Sequence, residues 1–403
     1  MSSRSLWIAT SHVWCALFLS FSNSTADDSE VKRSPARFEL RADDRVVLLG
    51  GGLIEQERRH GFLQTRLSRR VPEGSLVFRN LGWAGDTVRG IARTSGYQNP
   101  EGFARLLKEV QDARPTVLFI GYGANESFDG QPGLAGFRED HAKLLEKLAP
   151  LKARVVLLSP MHQEDLGRPF PDPTENNRNV ARYTAVIRQL AEERKYAFVD
   201  LNTVGQDKSN NPRRRLTTNG VQLNETGSDL VARAIEDQLG LPRNDWSIRL
   251  NASGKVLASK GVQLDDVIAA KDGIRFQARD LMLAADGDDK FLQIDDLPPG
   301  DYWLQIDGER GFRFSAADWK KGFFYSPNPN TLDSERLRKA IIANNELFYR
   351  RWRPFNDHSR HWGFIGGDGK LYDQEMAAQE KVIAERRRPP IHRYEILRAG
   401  ESK

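Results

Sequence analysis

The chain has 403 residues, 39% of them apolar and 29% charged, and its 60 basic and 55 acidic residues leave a net charge of +5. That length and apolar fraction suit a soluble chain with one large domain and a smaller one. The charges are mixed throughout, with no basic block interleaved with aromatics, which excludes a nucleic-acid-binding surface.

The first predicted element is a secretory signal peptide over 1–26. Arg4 supplies a positive charge, Val13 to Phe21 an apolar core, and Ser24-Thr25-Ala26 the small residues of a cleavage site before Asp27-Asp28. The apolar core is far shorter than the roughly 20 residues of a membrane span, and a bare membrane anchor is the alternative reading. No later segment is apolar enough to span a bilayer. The expected location is therefore periplasmic or extracellular. The single cysteine, Cys15, lies inside this segment. Cleavage near Ala26 would leave no disulfide, thiolate zinc site or cysteine nucleophile.

From 44 to 241, short apolar runs alternate with helical periodicities. The runs are Val46–Leu49, Leu76–Phe78, Thr116–Ile120, Val155–Leu158 and Ala197–Val199. Phe137, His141, Leu144, Leu145 and Leu148 share one helical face, as do Val180, Tyr183, Ile187 and Leu190, so His141 reads as a core residue. Continuous apolar strands alternating with helices predict an α/β fold, a parallel sheet covered on both faces in three layers. Ligands of such sheets bind beyond the carboxyl ends of the strands.

From 242 to 325 the helical periodicity disappears. Short alternating strands separated by Asn251-Ala252-Ser253-Gly254, Asp286-Gly287-Asp288-Asp289 and Pro298-Pro299-Gly300-Asp301 predict a small antiparallel β unit. Its clearest strand, Tyr302–Ile306, enters a tight turn at Asp307-Gly308-Glu309. A C-terminal helical extension follows over 330–403. One helix is expected from Ser334 to Tyr349, with Leu337, Ile341 and Phe348 inward. Another is expected from Gln374 to Arg386, stopped by Pro389-Pro390.

Four blocks punctuate the α/β part. Gly50-Gly51-Gly52-Leu53-Ile54-Glu55-Gln56 follows the first strand, and Asn80-Leu81-Gly82-Trp83-Ala84-Gly85-Asp86-Thr87 the second. Gly121-Tyr122-Gly123-Ala124-Asn125-Glu126-Ser127 follows the third, and Thr218-Asn219-Gly220-Val221-Gln222-Leu223-Asn224-Glu225 precedes the last helix of this part. Glycines at the first turn leave backbone amides open to an anion. Neither Gly-x-Gly-x-x-Gly nor Gly-Lys-Ser/Thr is present, which argues against a nucleotide site.

As one ordered set, the blocks resemble the SGNH (GDSL-type) hydrolase family of esterases and acylhydrolases, over 44–241. The resemblance implies a flavodoxin-like α/β/α domain and a serine attacking an ester, such as that of an acylated carbohydrate. A histidine would take the serine's proton, and an aspartate three residues before it would orient it. Backbone and asparagine donors would hold the oxyanion. On this chain Gly85 and Asn125 match the oxyanion glycine and asparagine. Gly52 stands at the serine position, Gly51 at the preceding aspartate, Asn219 at the orienting aspartate and Gln222 at the histidine. All three members of the triad are thus replaced, which implies a ligand-binding pseudoenzyme.

Other readings remain open. His162 lies after the fourth strand, where Gln163, Glu164 and Asp165 would supply an orienter. Ser127 is a substitute nucleophile or a cap. Glu126 and Glu55 would make a carboxylate pair, unless Glu55 faces solvent from the first helix. His358 and His361, near Asp357 and Asp368, form an i, i+3 pair read as packing rather than as a metal site, so no metal or cofactor is expected. Trp352, Arg353 and Asn356 would close over a polar ligand, or their helix simply covers the domain edge. An active hydrolase using His162 or Ser127 and a structural extracellular module are the alternatives. A small molecule or carbohydrate is the expected partner, and the oligomeric state is left open.

Overall fold

The structure, a computed structural model, describes residues 38–93, 101–204, 206, 215–242, 244–285, 287–326, 333–353 and 369–400. The expected signal peptide and Asp357, His358, His361, Asp368 and Asn356 lie outside the described residues.

The α/β part runs β1 (Arg45–Gly50), α1 (Gly52–His60), α2 (Phe62–Ser68), β2 (Val77–Gly82), α3 (Glu101–Ala113), β3 (Val117–Gly121), α4 (Leu134–Leu148), β4 (Arg154–Leu158), α5 (Thr174–Arg194), β5 (Ala197–Val199) and α6 (Glu225–Gln238). The five strands are all parallel, in the order β2-β1-β3-β4-β5. Alternate residues of β1 explain its uninterrupted apolar run. Val46 and Leu48 pack with Leu67 of α2 and Ile235 of α6, whereas Val47 and Leu49 pack with Val110 of α3 and Ile187 of α5. A strand with both faces buried has no position for a polar residue. This is the three-layer arrangement expected from the sequence. His141 is fully buried among the apolar residues of α4, edge-on to Phe137, and burial pushes its pKa down to about 4.

The second part contains β6 (Trp246–Asn251), β7 (Val256–Lys260), β8 (Val262–Ala270), β9 (Gly273–Asp280), β10 (Lys290–Asp295), β11 (Asp301–Ile306), β12 (Glu309–Ser315), α7 (Ala316–Lys321) and β13 (Phe323–Tyr325). The sheets β13-β10-β6-β7 and β12-β11-β14-β9-β8 share one core, in which Trp246 and Ile248 of the first meet Phe276 and Tyr394 of the second. Strand β14 (Ile391–Arg398) pairs antiparallel with both β9 and β11. The helical extension expected over 330–403 therefore ends in a strand at the centre of a sheet. The pairs are antiparallel apart from β6 and β10, which run parallel. The β11–β12 turn is the expected two-residue loop, with Asp307 and Gly308 both at positive φ as a type I′ turn requires.

Among the described residues, two helices lie between β13 and β14. They are α8 (Asp333–Trp352) and α9 (Gly369–Arg386), each longer than the periodicity indicated. Leu337 and Ile341 are buried, and Phe348 packs on the α3 side of the sheet. No helix among the described residues is long and apolar enough to cross a membrane.

On α1, Glu57 is buried and accepts the amide hydrogen of Gln64, a residue of α2, at 2.9 Å. Burial raises its pKa to about 8, against the pull of the Gln64 and Leu63 amides and of Arg338. The folded state therefore holds this proton at pH values where the unfolded chain has released it. The resulting stabilisation is complete below the unfolded carboxyl value near pH 4.3 and is lost as pH rises through about 8. Glu57→Gln keeps the amide acceptor and removes the titration. Urea unfolding should find the two proteins similar at pH 4 and the variant more stable by about 5 kcal/mol at pH 9. A constant difference between those pH values would refute this account.

Candidate functional site

Strands β1, β2 and β3 each end in glycine, at Gly50, Gly82 and Gly121. The first turn of α1 lies directly against these ends. A Cβ at Gly82 would come within 2.3 Å of the Glu55 amide nitrogen. Glycine thus lets the helix start close to the sheet, at the point where strand order reverses between β1 and β3. A cavity of about 190 Å³ opens there, lined by Gly51 and Gly52 after β1, Ala84 to Asp86 after β2, Gly121 to Glu126 after β3, Ser159 to Gln163 after β4, and Gly220 to Gln222. Gln56 and Val180 complete its walls.

Gly52, Gly85, Asn125, Gln222 and His162 therefore share one hollow. Asn219 does not line it. Its side-chain oxygen instead accepts the amide hydrogens of Val221 and Gln222, at 3.2 and 2.8 Å, and so shapes the turn that carries Gln222. Gln56 fixes this turn to α1 by accepting the Leu223 amide hydrogen at 2.6 Å.

The positive end of α1 faces the cavity. Its cap, Gly51, offers no side chain to the amides of the first turn, and Gly52 and Leu53 line the hollow. Unpaired amides and the helix dipole make this an anion-favouring position. Gly85 has φ +80°, and nothing lies within 4 Å of where its Cβ would be, so its loop is open to the cavity. Asn125 donates one amide hydrogen to the Asp86 carbonyl at 2.7 Å, and its amide carries a second.

The loop carrying Gly85 is tightly held. Trp83 donates its amide hydrogen to the Gly50 carbonyl at 2.9 Å. Asp86, fully buried, accepts from Arg93 Nε at 2.8 Å, the Tyr122 hydroxyl at 2.9 Å and the Ala92 amide at 3.2 Å. Desolvation and the adjacent Asp86 push the Tyr122 pKa well above its usual value, which keeps it a donor. Glu126 ties two blocks together by accepting from the amides of Val88 and Gly123, both at 2.9 Å.

Several expectations are corrected. Glu126 lines the cavity, but both carboxylate oxygens are taken by backbone amides, and burial raises its pKa. It forms no pair with Glu55. Glu55 does not face solvent: it accepts the Ala84 amide hydrogen and pairs with Arg353 at 2.9 Å. Ser127 is fully buried, lies outside the cavity lining and donates to the Ala124 carbonyl at 2.7 Å, so it is neither a nucleophile in the hollow nor a cap. Among the described residues His162 has no carboxylate orienter. Its Nε2 lies 3.1 Å from the Asn177 amide, and burial lowers its pKa. Glu164 instead binds the Leu216 and Thr217 amides, and Asp165 the Gly167 amide. Trp352 and Arg353 do not line the cavity. Arg353 stacks 4.0 Å over Trp83, and Trp352 meets the same ring edge-on, so the end of α8 braces the Gly85 loop from outside. Among the described residues no cluster of His, Cys, Asp and Glu is arranged to hold a metal ion.

Sequence reasoning did not single out Gln56, Arg93 or Tyr122. Tyr122 and Gln56 stood inside quoted blocks, but nothing local signals their long-range partners. Arg93 stood in no block at all.

Among solved structures, the chain is similar to a gut microbial diltiazem-metabolizing enzyme, with 16% identity, over 90% of this chain and 99% of that one, at a TM-score of 0.70. Matches also include an acetylxylan esterase from Geobacillus stearothermophilus, with 21% identity over 51% of this chain and 98% of that one at 0.41. A GDSL-like lipase from Bacteroides thetaiotaomicron matches with 20% identity over 50% of this chain and 90% of that one at 0.37. No curated protein matches the chain. The family model described as GDSL-like lipase/acylhydrolase matches residues 27–230, about half of the chain and the part that builds the cavity. The chain belongs to the GDSL-like lipase/acylhydrolase family.

Proposed function

We propose that this member of the family is an exported binding protein for a small acylated ligand, such as an acylated carbohydrate, and that it has lost covalent catalysis. The observation that carries the reading is Gly52. At the first position of α1, in the cavity, it offers no hydroxyl to attack a carbonyl. Gln222, at the rim of the same cavity, does not take up a proton near neutral pH, and Asn219 carries no charge to stabilise a cation beside it. What persists is the receptor for negative charge: the α1 amides, the Gly85 loop and the Asn125 side chain. Loss of a nucleophile–base unit costs on the order of 10⁶ in rate, while binding and oxyanion donors alone retain about 10³–10⁴ over water. The small cavity suits a short acyl group.

A second reading rests on His162. Burial holds its pKa below the usual histidine value, which favours the neutral ring, the form able to accept a proton. The native chain separates the two. Incubation with an organophosphate should leave every serine unmodified, and hydrolysis of 4-nitrophenyl acetate should stay at the level of the His162→Ala variant. Organophosphate labelling of a cavity residue would sink the binding reading. A His162→Ala loss of a hundredfold or more would establish the second one.

A further inference from the structure

A larger hollow, of about 540 Å³, lies in the β sandwich, bounded by β9, β10, β13, β14, the β11–β12 turn and the first turn of α8. Its floor is a buried polar chain. Asp280 accepts from the Trp246 indole at 2.7 Å and pairs with Lys290 at 2.7 Å. Lys290 also donates to the Tyr394 hydroxyl at 3.4 Å and sits 4.8 Å over the Trp246 ring. The hydroxyls of Tyr394 and Tyr325 lie 3.0 Å apart. All five of these residues are less than a tenth exposed. Two phenolic protons meet at one contact, so whichever tyrosine donates, one O–H has no acceptor among the described residues. A ligand acceptor in the hollow would satisfy it.

The rim has the opposite character. His392 Nδ1 lies 2.7 Å from Asp307 and its Nε2 3.6 Å from Asp333, while Arg336 also pairs with Asp333. Glu309 is the rim carboxylate with no cation paired to it among the described residues. The walls between floor and rim include Leu283, Ala284, Ile306 and Pro389. Asp280 and Lys290 cancel each other at the floor, which favours no ion there, and Glu309 disfavours an anion at the rim. A ligand with an acceptor at one end, donors at the other, no charge and an apolar face fits both ends.

We propose that this hollow binds a small uncharged polyhydroxyl compound of mono- to disaccharide size, independently of the cavity at Gly52. Calorimetric titration of the full chain with xylobiose and with cellobiose tests this, with tetramethylammonium and succinate as charged controls. The expected result is saturable binding of at least one disaccharide, weakened about tenfold in Tyr325→Phe, which deletes one hydroxyl and keeps the ring. Should that variant not fold, Glu309→Gln at the exposed rim is expected to weaken binding several-fold. The proposal is overturned if neither disaccharide binds, if either charged control binds more tightly, or if Tyr325→Phe binds as the native chain does. Binding lost in Asn125→Ala but kept in Tyr325→Phe assigns the disaccharide to the other cavity and overturns it equally.

Discussion

The combined replacement Gly52→Ser, Asn219→Asp and Gln222→His is expected to raise hydrolysis of 4-nitrophenyl acetate by at least about 10³-fold over the native chain. The backbone already accommodates it. A Cβ at position 52 meets only Gln56 Nε2, at 3.8 Å, and the position is not among those with positive φ. A hydroxyl there would stand at the positive end of α1, opposite the Gly85 loop and Asn125. An aspartate at 219 retains an oxygen to accept the Val221 and Gln222 amides, so the turn that presents position 222 is conserved. The three changes act as a unit. Each single replacement should give little, because a serine without a base and a base without a nucleophile are both inactive. Initial rates on the three single variants and the triple, with melting temperatures beside them, check this. A folded triple variant no faster than the native chain would show that these positions do not form the triad.

Arg93→Met is expected to destabilise the fold by about 3–5 kcal/mol, the second large effect. Arg93 is fully buried and holds Asp86, Glu109 and the Leu81 carbonyl, the last at 2.8 Å. Without the guanidinium, the fully buried Asp86 carboxylate keeps only the Tyr122 hydroxyl and one amide, and its charge is uncompensated. Because Asp86 adjoins Gly85, the loop at the cavity loosens along with the core. The double variant Asp86→Asn with Arg93→Met removes both charges and should recover part of the loss, so urea unfolding of the two singles and the double will show coupling. Additive losses would mean that the pair is not the source of the stability.

The ion pair between Glu55 and Arg353 teaches the same lesson at the surface of the site. Residues 55 and 353 are distant in sequence, one on α1 and the other just past the end of α8. Their meeting depends on α8 crossing the start of α1, which no local pattern encodes. Glu164 is a similar case. Its position beside His162 suggests an orienter, yet two backbone amides of the 216–217 segment claim it, because unpaired buried amides compete strongly for a carboxylate. Strand β14 went unread because its eight residues include His392, Arg393, Glu395 and Arg398 and look like a charged tail. Only pairing with β9 and β11 buries Tyr394 and Ile396.

The amino-acid order alone determined the parallel sheet and the meeting of Gly52, Gly85, Asn125, Gln222 and His162 at one edge. A run such as Val46 to Leu49 is apolar on both faces only when helices cover both. Parallel strands then deliver the segments that follow them to the same side. The partners of Asp86, Glu55, Glu126 and Glu164, and the place of the last strand, were decided by tertiary packing. A buried or bracing charge is matched by whichever donor the folded chain brings within about 3 Å, and that distance is a property of three dimensions rather than of sequence neighbours.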